Sequence, residues 1–272
     1  MPAITPATPV RLELDLLPDL ELCLVEGGRF DMGDEHGDLW EACRPVYPVE
    51  LSSFYIAKWQ VTQRLWQEVM GENPSYNKGE RRPVENVSWD DTRSFLEKLN
   101  TYPGLARQLQ APGLPSAFRL PREAEWEYAA RGGRYSQGYR YCGSDSLAQV
   151  GWYDGNSGNQ THEVGQLLPN ELGIHDMSGN VWEWCEDRFD SNYYETCLKN
   201  GTAYDPKGPD GGDRRVMRGG SCFLPPLFCR PAGRDDPSPG GRYDSIGLRL
   251  VLPFQSDGTP GGTGGGHFGS AQ

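Results

Sequence analysis

Cysteine and histidine are the first side chains to weigh for chemistry. Seven cysteines stand at positions 23, 43, 142, 185, 197, 222 and 229. The number is odd and no pair has C-x-x-C spacing. Neither a disulfide framework nor a zinc site is therefore expected, and the thiols read as free and buried. Four histidines, at 36, 162, 175 and 267, are scattered and read as ordinary surface or core residues. No Ser-His-Asp constellation, phosphate-binding loop or G-x-S-x-G is present. One segment stands out for binding. CFLPPLFCRPAGRDDPSPGGRYDS, residues 222–245, gathers Phe223, Leu224, Leu227 and Phe228 without helical or strand period. An apolar cluster of this kind marks a binding surface when exposed, and a loop folded back into the core when not.

The rest of the chain must position those residues. It has 272 residues and a formal net charge of -12, with 38 acidic side chains against 26 basic ones. The length suits one large domain or two small ones, and buries roughly three quarters of the unfolded surface. The acidic balance argues against general nucleic-acid binding, which needs positive charge to displace counterions. No apolar run is long enough to span a membrane. No secretory signal is visible at the start, so the expected location is cytoplasmic, or surface- or phage-associated by another route. With 35 glycines, 22 prolines and 8 tryptophans, the composition predicts a loop-rich α+β domain pinned by buried rings.

Local patterns supply the elements. Residues 1–21 read as an arm. Residues 22–33 read as strand-turn-strand and 46–59 as extended chain. Thr62 is placed to cap a helix presenting Leu65, Trp66, Val69 and Met70 on one face, with Gly71 ending it. Ser88 and Asp91 predict a capping box before a helix that buries Thr92, Phe95, Leu96 and Leu99. Pro121 is expected at the first position of a third helix closed by Gly132. Strands are expected over 174–184, 216–221 and 246–252, with 186–213 irregular and 254–272 a flexible Gly-rich tail.

Five segments then form a set: GGRFDMG (27–33), FRLPREAEWEYAARGG (118–133), NELGIHDMSGNVWEWCED (170–187), RRVMRGGS (214–221) and IGLRLV (246–251). In this order they resemble the formylglycine-generating-enzyme, or sulfatase-modifying-factor, domain family over about 22–253. The resemblance implies a C-type lectin-like fold with a small antiparallel sheet, few helices and much ordered loop. The oxidase members bind copper through two cysteines, the first three residues after the Ser of RGGS. Here that position is Leu224, so the chain is not expected to be an enzyme, and neither copper nor iron is expected. An atypical Cys222/Cys229 site is the catalytic alternative, and a fixed structural or accessory domain the other. The sugar-binding tripeptides EPN, QPD and WND are absent.

The frame RGGS, CR-x-A-x-R, Arg242 and IG-x-RL also resembles the variable proteins of diversity-generating retroelements. There, error at template adenines turns AAY codons into NNY codons, which cannot encode Trp, Met, Gln, Glu or Lys. Residues 222–246 contain none of these types. The resemblance implies a binding face diversified at Phe223, Leu224, Pro225, Leu227, Phe228, Gly233, Asp235, Asp236, Tyr243, Asp244 and Ser245, with an unknown protein or other macromolecule as ligand. Arg218, Arg230, Arg234, Arg242 and Arg249 would be framework, bonded to loop carbonyls. The family's calcium near DMSGNVWEW would fall on the carboxylates of Asp176 and Glu183 and the carbonyls of Gly179 and Val181.

Overall fold

The computed structural model describes residues 11–13, 17–109 and 117–254. The chain opens with strands β1 (Arg11–Glu13), β2 (Glu21–Val25), β3 (Gly28–Met32), β4 (Tyr47–Leu51) and β5 (Phe54–Ala57). Helices α1 (Gln63–Met70), α2 (Trp89–Asn100), α3 (Leu105–Leu109), α4 (Glu123–Ala130) and α5 (Leu147–Val150) follow. The C-terminal half holds β6 (Trp182–Arg188), α6 (Tyr193–Asn200), β7 (Ala203–Tyr204), β8 (Arg215–Arg218), β9 (Arg234–Asp235), β10 (Ile246–Leu248) and β11 (Val251–Pro253). This is the expected loop-rich α+β architecture with few helices and small sheets.

The strands form three small sheets, ordered β1-β2-β5-β11, β10-β6-β8-β9 and β3-β4-β7. The expected small antiparallel sheet is thus divided, and two of the three sheets contain a parallel pair, β10 with β6 and β4 with β7. β2 and β3 are consecutive strands but belong to different sheets, so residues 22–33 do not make a hairpin. The first residues of the expected arm that are described, Arg11–Glu13, pair with Glu21–Cys23. Residues 255–272 of the expected tail lie outside the described residues.

Cap chemistry fixes the first two helices as read. The Thr62 hydroxyl accepts from the Leu65 amide, and Gly71 closes α1 in the left-handed conformation. Ser88 and Asp91 exchange the two hydrogen bonds of a capping box at the start of α2. Thr92, Phe95, Leu96 and Leu99 are buried, and Trp66 stacks on Phe95 at 4.8 Å between ring centroids.

Other segments depart from expectation for tertiary reasons. Pro121 precedes the cap residue Arg122, one position outside α4. Of the expected 174–184 strand only residues 182–184 are regular, as the start of β6, because residues 174–181 turn through positive φ at Asp176, Gly179 and Asn180. α6 lies inside the stretch expected to be irregular. The expected strand 246–252 splits in two, and the chain changes sheets at Arg249.

Every residue of α4, EAEWEYAA, is buried. Its glutamates therefore face protein, and arginines meet them. Arg218 bonds Glu123 at 3.0 Å and Glu127 at 2.5 Å. Arg234 grips both oxygens of Glu123 at 2.7 and 2.8 Å. Arg131 adds a 2.8 Å bond to Glu127, and Arg119 pairs bidentately with Glu125. These framework arginines thus bond chiefly to carboxylates rather than loop carbonyls. Carbonyl contacts come second: Arg218 to Pro231 and Arg234 to Ala42. At the head of the helix the Asp187 carboxylate accepts from the Glu123 amide at 2.9 Å.

Glu123→Ala would leave the buried Arg234 guanidinium without a carboxylate and Arg218 with Glu127 alone. It is expected to lower the unfolding free energy by about 3–5 kcal/mol in urea titration. A loss below about 1 kcal/mol would mean that the network does not organise the fold. Burial, with the Glu123 charge nearby, pushes the Asp187 carboxyl up to about 8. The unfolded value is about 3.9, so the folded state holds the extra proton between those limits, and stability falls as pH rises through that window. Asp187→Asn cannot ionise. It is expected to flatten the slope, with urea midpoints closest to wild type at the acid end and above it at the alkaline end.

Candidate ligand-binding face

β8 delivers the chain to the loop at Arg218, and Gly219 and Gly220 turn it through φ of +99° and +73°. A Cβ on Gly220 would lie 2.8 Å from both the Cys229 sulfur and the Phe228 carbonyl, so the two ends of the first half-loop touch there. Cys222 is buried. Its amide bonds the Asn180 carbonyl at 2.9 Å, and its carbonyl accepts from the Ser157 hydroxyl at 2.6 Å.

Beyond Cys222 the side chains turn outward while the backbone stays bonded. The Leu224 amide bonds the Ser221 carbonyl, and the Leu224 carbonyl accepts from Asp154 at 3.1 Å. A single 3-10 turn, Pro226–Cys229, gives the segment its shape. Pro225 and Leu227 are exposed, and Phe223, Leu224 and Phe228 are half-buried. The inner edges of Leu224 and Phe228 rest on the main apolar cluster, and the Phe228 ring meets Trp40 at 5.2 Å. The two weighed outcomes, exposed anchors or a loop folded inward, are thus combined.

The second half returns to the core and then leaves it again. Residues 229–234 are all buried. Gly233 is among them, unlike the exposed candidate positions. A Cβ there would sit 2.9 Å from the Phe228 carbonyl and 3.2 Å from that of Arg230. Arg230 is fixed by an ion pair to Asp38. Asp235 is exposed on the edge strand β9, and Asp236 pairs with Arg214 at 3.0 Å. Arg242 grips Asp91 of α2 bidentately at 2.6 and 2.8 Å, and remains more than half exposed. Tyr243 and Asp244 are exposed and Ser245 is half-buried. Their backbone is held by the Asn86 amide on the Tyr243 carbonyl and the Trp182 amide on the Ser245 carbonyl.

Asp235 and Asp236 are set apart along the sheet edge. Sequence reasoning missed the neighbours Trp40, against Phe228, and Asp154, bonded to Leu224. Tyr76 is 77% exposed, next to the Asn77 amide that bonds Glu85, and Asn86 follows against Tyr243. No local signal marks these residues, because they lie far from the loop in sequence.

All seven cysteines are free and buried, as read. Burial pushes the Cys222 thiol up to about 12 and raises Cys229 further. Both thiols are therefore protonated at neutral pH, whereas nucleophilic attack and soft-metal binding need the thiolate. Among the described histidines, His162 stacks on Trp152 at 3.8 Å and bonds the Ser157 carbonyl, while His175 bonds the Leu167 carbonyl. Among the described residues no group of three or more His, Cys, Asp or Glu is placed to hold a metal ion.

The four residues expected around calcium do converge, and they converge on Gln60. Its side-chain nitrogen lies 3.1 Å from the Asp176 carbonyl, 3.4 Å from that of Gly179, 3.1 Å from that of Val181 and 3.0 Å from Glu183 Oε1. The Asp176 carboxylate points elsewhere, accepting from the Gly165 amide at 2.7 Å, and burial pushes it up to about 6.

Residues 17–253 match the sulfatase-modifying factor enzyme 1-like domain, and the chain belongs to that family. It is 40% identical over 204 residues to the chaperone protein LppX of Paenibacillus barcinonensis, covering 61% of this chain and 70% of that one. It is 32% identical over 214 residues to the formylglycine-generating enzyme of Streptomyces coelicolor, covering 72% of this chain and 61% of the enzyme. Among solved structures, Treponema denticola variable protein 1 superposes with a TM-score of 0.73 at 30% identity, over 90% of this chain and 100% of that one. PvdO of Pseudomonas aeruginosa superposes with a TM-score of 0.71 at 25% identity, over 91% and 99%. Both resemblances read from the sequence, to the enzyme family and to variable proteins, are found again here. No helix among the described residues is long and apolar enough to cross a membrane.

The state of the thiols is directly measurable. Iodoacetamide at neutral pH is expected to leave Cys222 and Cys229 unmodified in the native protein and to alkylate both after denaturation, as read by peptide mass spectrometry. Rapid alkylation of either in the native state would reopen the Cys222/Cys229 site.

Proposed function

We propose that this chain is a non-catalytic ligand-binding protein whose loop face over 223–228 and 243–245, with Asp235 and Asp236 at its margin, is diversified to bind varied macromolecular targets. One observation carries the reading. Framework and candidate variable positions largely separate by burial: Arg218, Cys229–Ala232, Arg234 and Ile246–Arg249 are buried, Pro225, Leu227, Asp235, Tyr243 and Asp244 are exposed, and Phe223, Leu224, Phe228, Asp236 and Ser245 are half-buried, with the exposed Arg242 and the buried Gly233 as exceptions. A rigid scaffold with its variable chemistry on exposed loops is the arrangement used wherever one fold must bind many partners. The similarity to Treponema denticola variable protein 1 supports it. Phe223, Leu227, Phe228 and Tyr243 supply the aromatic and aliphatic anchors, and Asp235, Asp236 and Asp244 the polar rim. The enzyme reading draws on the 32% identity to a formylglycine-generating enzyme. Burial raises both loop thiols, which counts against it.

The test is to sequence the coding region and its flanks from many cells of one clonal population. Variation confined to adenine-templated codons of the exposed positions, with a near-copy of the segment nearby, is the expected result. An invariant loop without a template sinks the diversification. At the protein level, Leu227→Ala and Tyr243→Ala are each expected to change stability by about 0.5 kcal/mol or less. Gly233→Ala is expected to lower the melting temperature measurably. If the two surface variants unfold the protein, the loop is core and the binding-face reading fails.

A further inference from the structure

The oxygen cage around Gln60 reverses the expectation of a calcium site. Ca²⁺ takes six to eight oxygens at about 2.3–2.6 Å and prefers several carboxylates. Three of the four oxygens here are neutral carbonyls, and the one carboxylate, Glu183, is already committed. Arg249 reaches Glu183 Oε1 at 2.8 and 3.1 Å and Oε2 at 2.9 Å, and the Trp126 indole donates to Oε2 at 2.6 Å. Its charge is cancelled by a guanidinium in direct contact, and a divalent cation would have to sit beside that guanidinium. The Asp176 carboxylate is turned to Gly165. The residues present therefore do not fit calcium.

They do fit an amide nitrogen, while the Gln60 oxygen is buried without a hydrogen-bond partner. Four acceptors surround the Gln60 nitrogen at 3.0–3.4 Å and share its two hydrogens. The orientation of the amide follows from the acceptors, because the flipped form would press oxygen against four oxygens. Gln60 is fully buried and has no freedom to withdraw. The next residue, Val61, bonds the Leu248 carbonyl and accepts from Val84, and Thr62 then caps α1.

We infer that the Gln60 side-chain amide is a built-in substitute for a divalent cation, and that the turn 176–183 holds its shape without calcium. The consequence reaches the candidate binding face. The Gly179 amide bonds the Gly219 carbonyl at 2.7 Å, and the Asn180 carbonyl accepts from the Cys222 amide at 2.9 Å. The base of the loop is thus set by a covalent part of the chain, whatever the face binds, and this inference does not depend on the loop being diversified.

The experiment uses the full chain, purified and split between chelator and calcium chloride. Wild type is expected to carry no stoichiometric calcium by elemental analysis, and to melt within about 1 °C in the two buffers. Gln60→Glu puts a fifth oxygen and a second carboxylate into the cage, which only a cation can satisfy. That variant is expected to melt well below wild type in chelator and to recover by several degrees in calcium. Bound calcium in wild type, or a calcium-dependent rise in its melting temperature, overturns the inference. So does a Gln60→Glu variant that melts like wild type in both buffers. Where the variant does not fold, the metal content and melts of the wild type decide alone.

Discussion

The fold depends on neutralising the carboxylates of a helix that has no solvent-facing side. α4 is buried along its whole length, and its three glutamates have only arginines to balance them. Arg119 is adjacent in sequence and Arg131 follows the helix. Arg218 and Arg234 come from strands β8 and β9, about ninety or more residues away. Removing ions from water costs several kcal/mol each, and only well-directed hydrogen bonds recover it. The consequence is positional. β8 and β9 must lie where their guanidinium groups meet Glu123 and Glu127, so the two ends of the loop Gly219–Gly233 are fixed at the centre of the molecule. Tyr194 adds a hydroxyl to Glu123, tying α6 to the same point.

That constraint separates two kinds of residue in one short segment. Between Arg218 and Arg234 the chain stays in the core through Cys222 and returns to it over Cys229–Gly233. Between those returns it has no partner that demands a particular side chain, apart from the inner edges of Leu224 and Phe228. The same division recurs after Arg242. Its bidentate bond to Asp91 fixes the path, and Tyr243 and Asp244 project beyond it.

The sequence was legible where structure is set locally and opaque where it is set at a distance. The Thr62 cap and the Ser88–Asp91 box are short-range chemistry, and both appear as read. Trp182 and Trp184 are buried, but so are Glu183 and Cys185, so alternation does not mark a face of this strand. Three glutamates on a helix normally signal a wet face, and nothing local reveals that arginines from elsewhere bury them. α6 has two buried residues, Tyr194 and Cys197, too few to mark a periodicity. Gly233 carries an NNY-accessible residue type, yet the space for any larger side chain is taken by the Phe228 carbonyl. The four calcium candidates were found as a group. The atom they surround was not, because Gln60 lies more than a hundred residues away and its amide has no sequence signature of its own.

The irregularity of this fold serves the loop it carries. In a helix or sheet, changing a side chain changes the packing that supports the backbone. Here the contacts that hold 222–245 are largely main-chain: Cys222 to Asn180, Leu224 to Asp154, Phe228 to Pro225, Asn86 to Tyr243 and Trp182 to Ser245. A backbone hydrogen bond does not depend on which side chain its residue carries. The parts that do depend on identity are the buried arginines, the glycine turn after Arg218 and the amide of Gln60, all buried, and the more exposed Arg242–Asp91 pair. A loop built this way keeps its path through substitution at its outward positions.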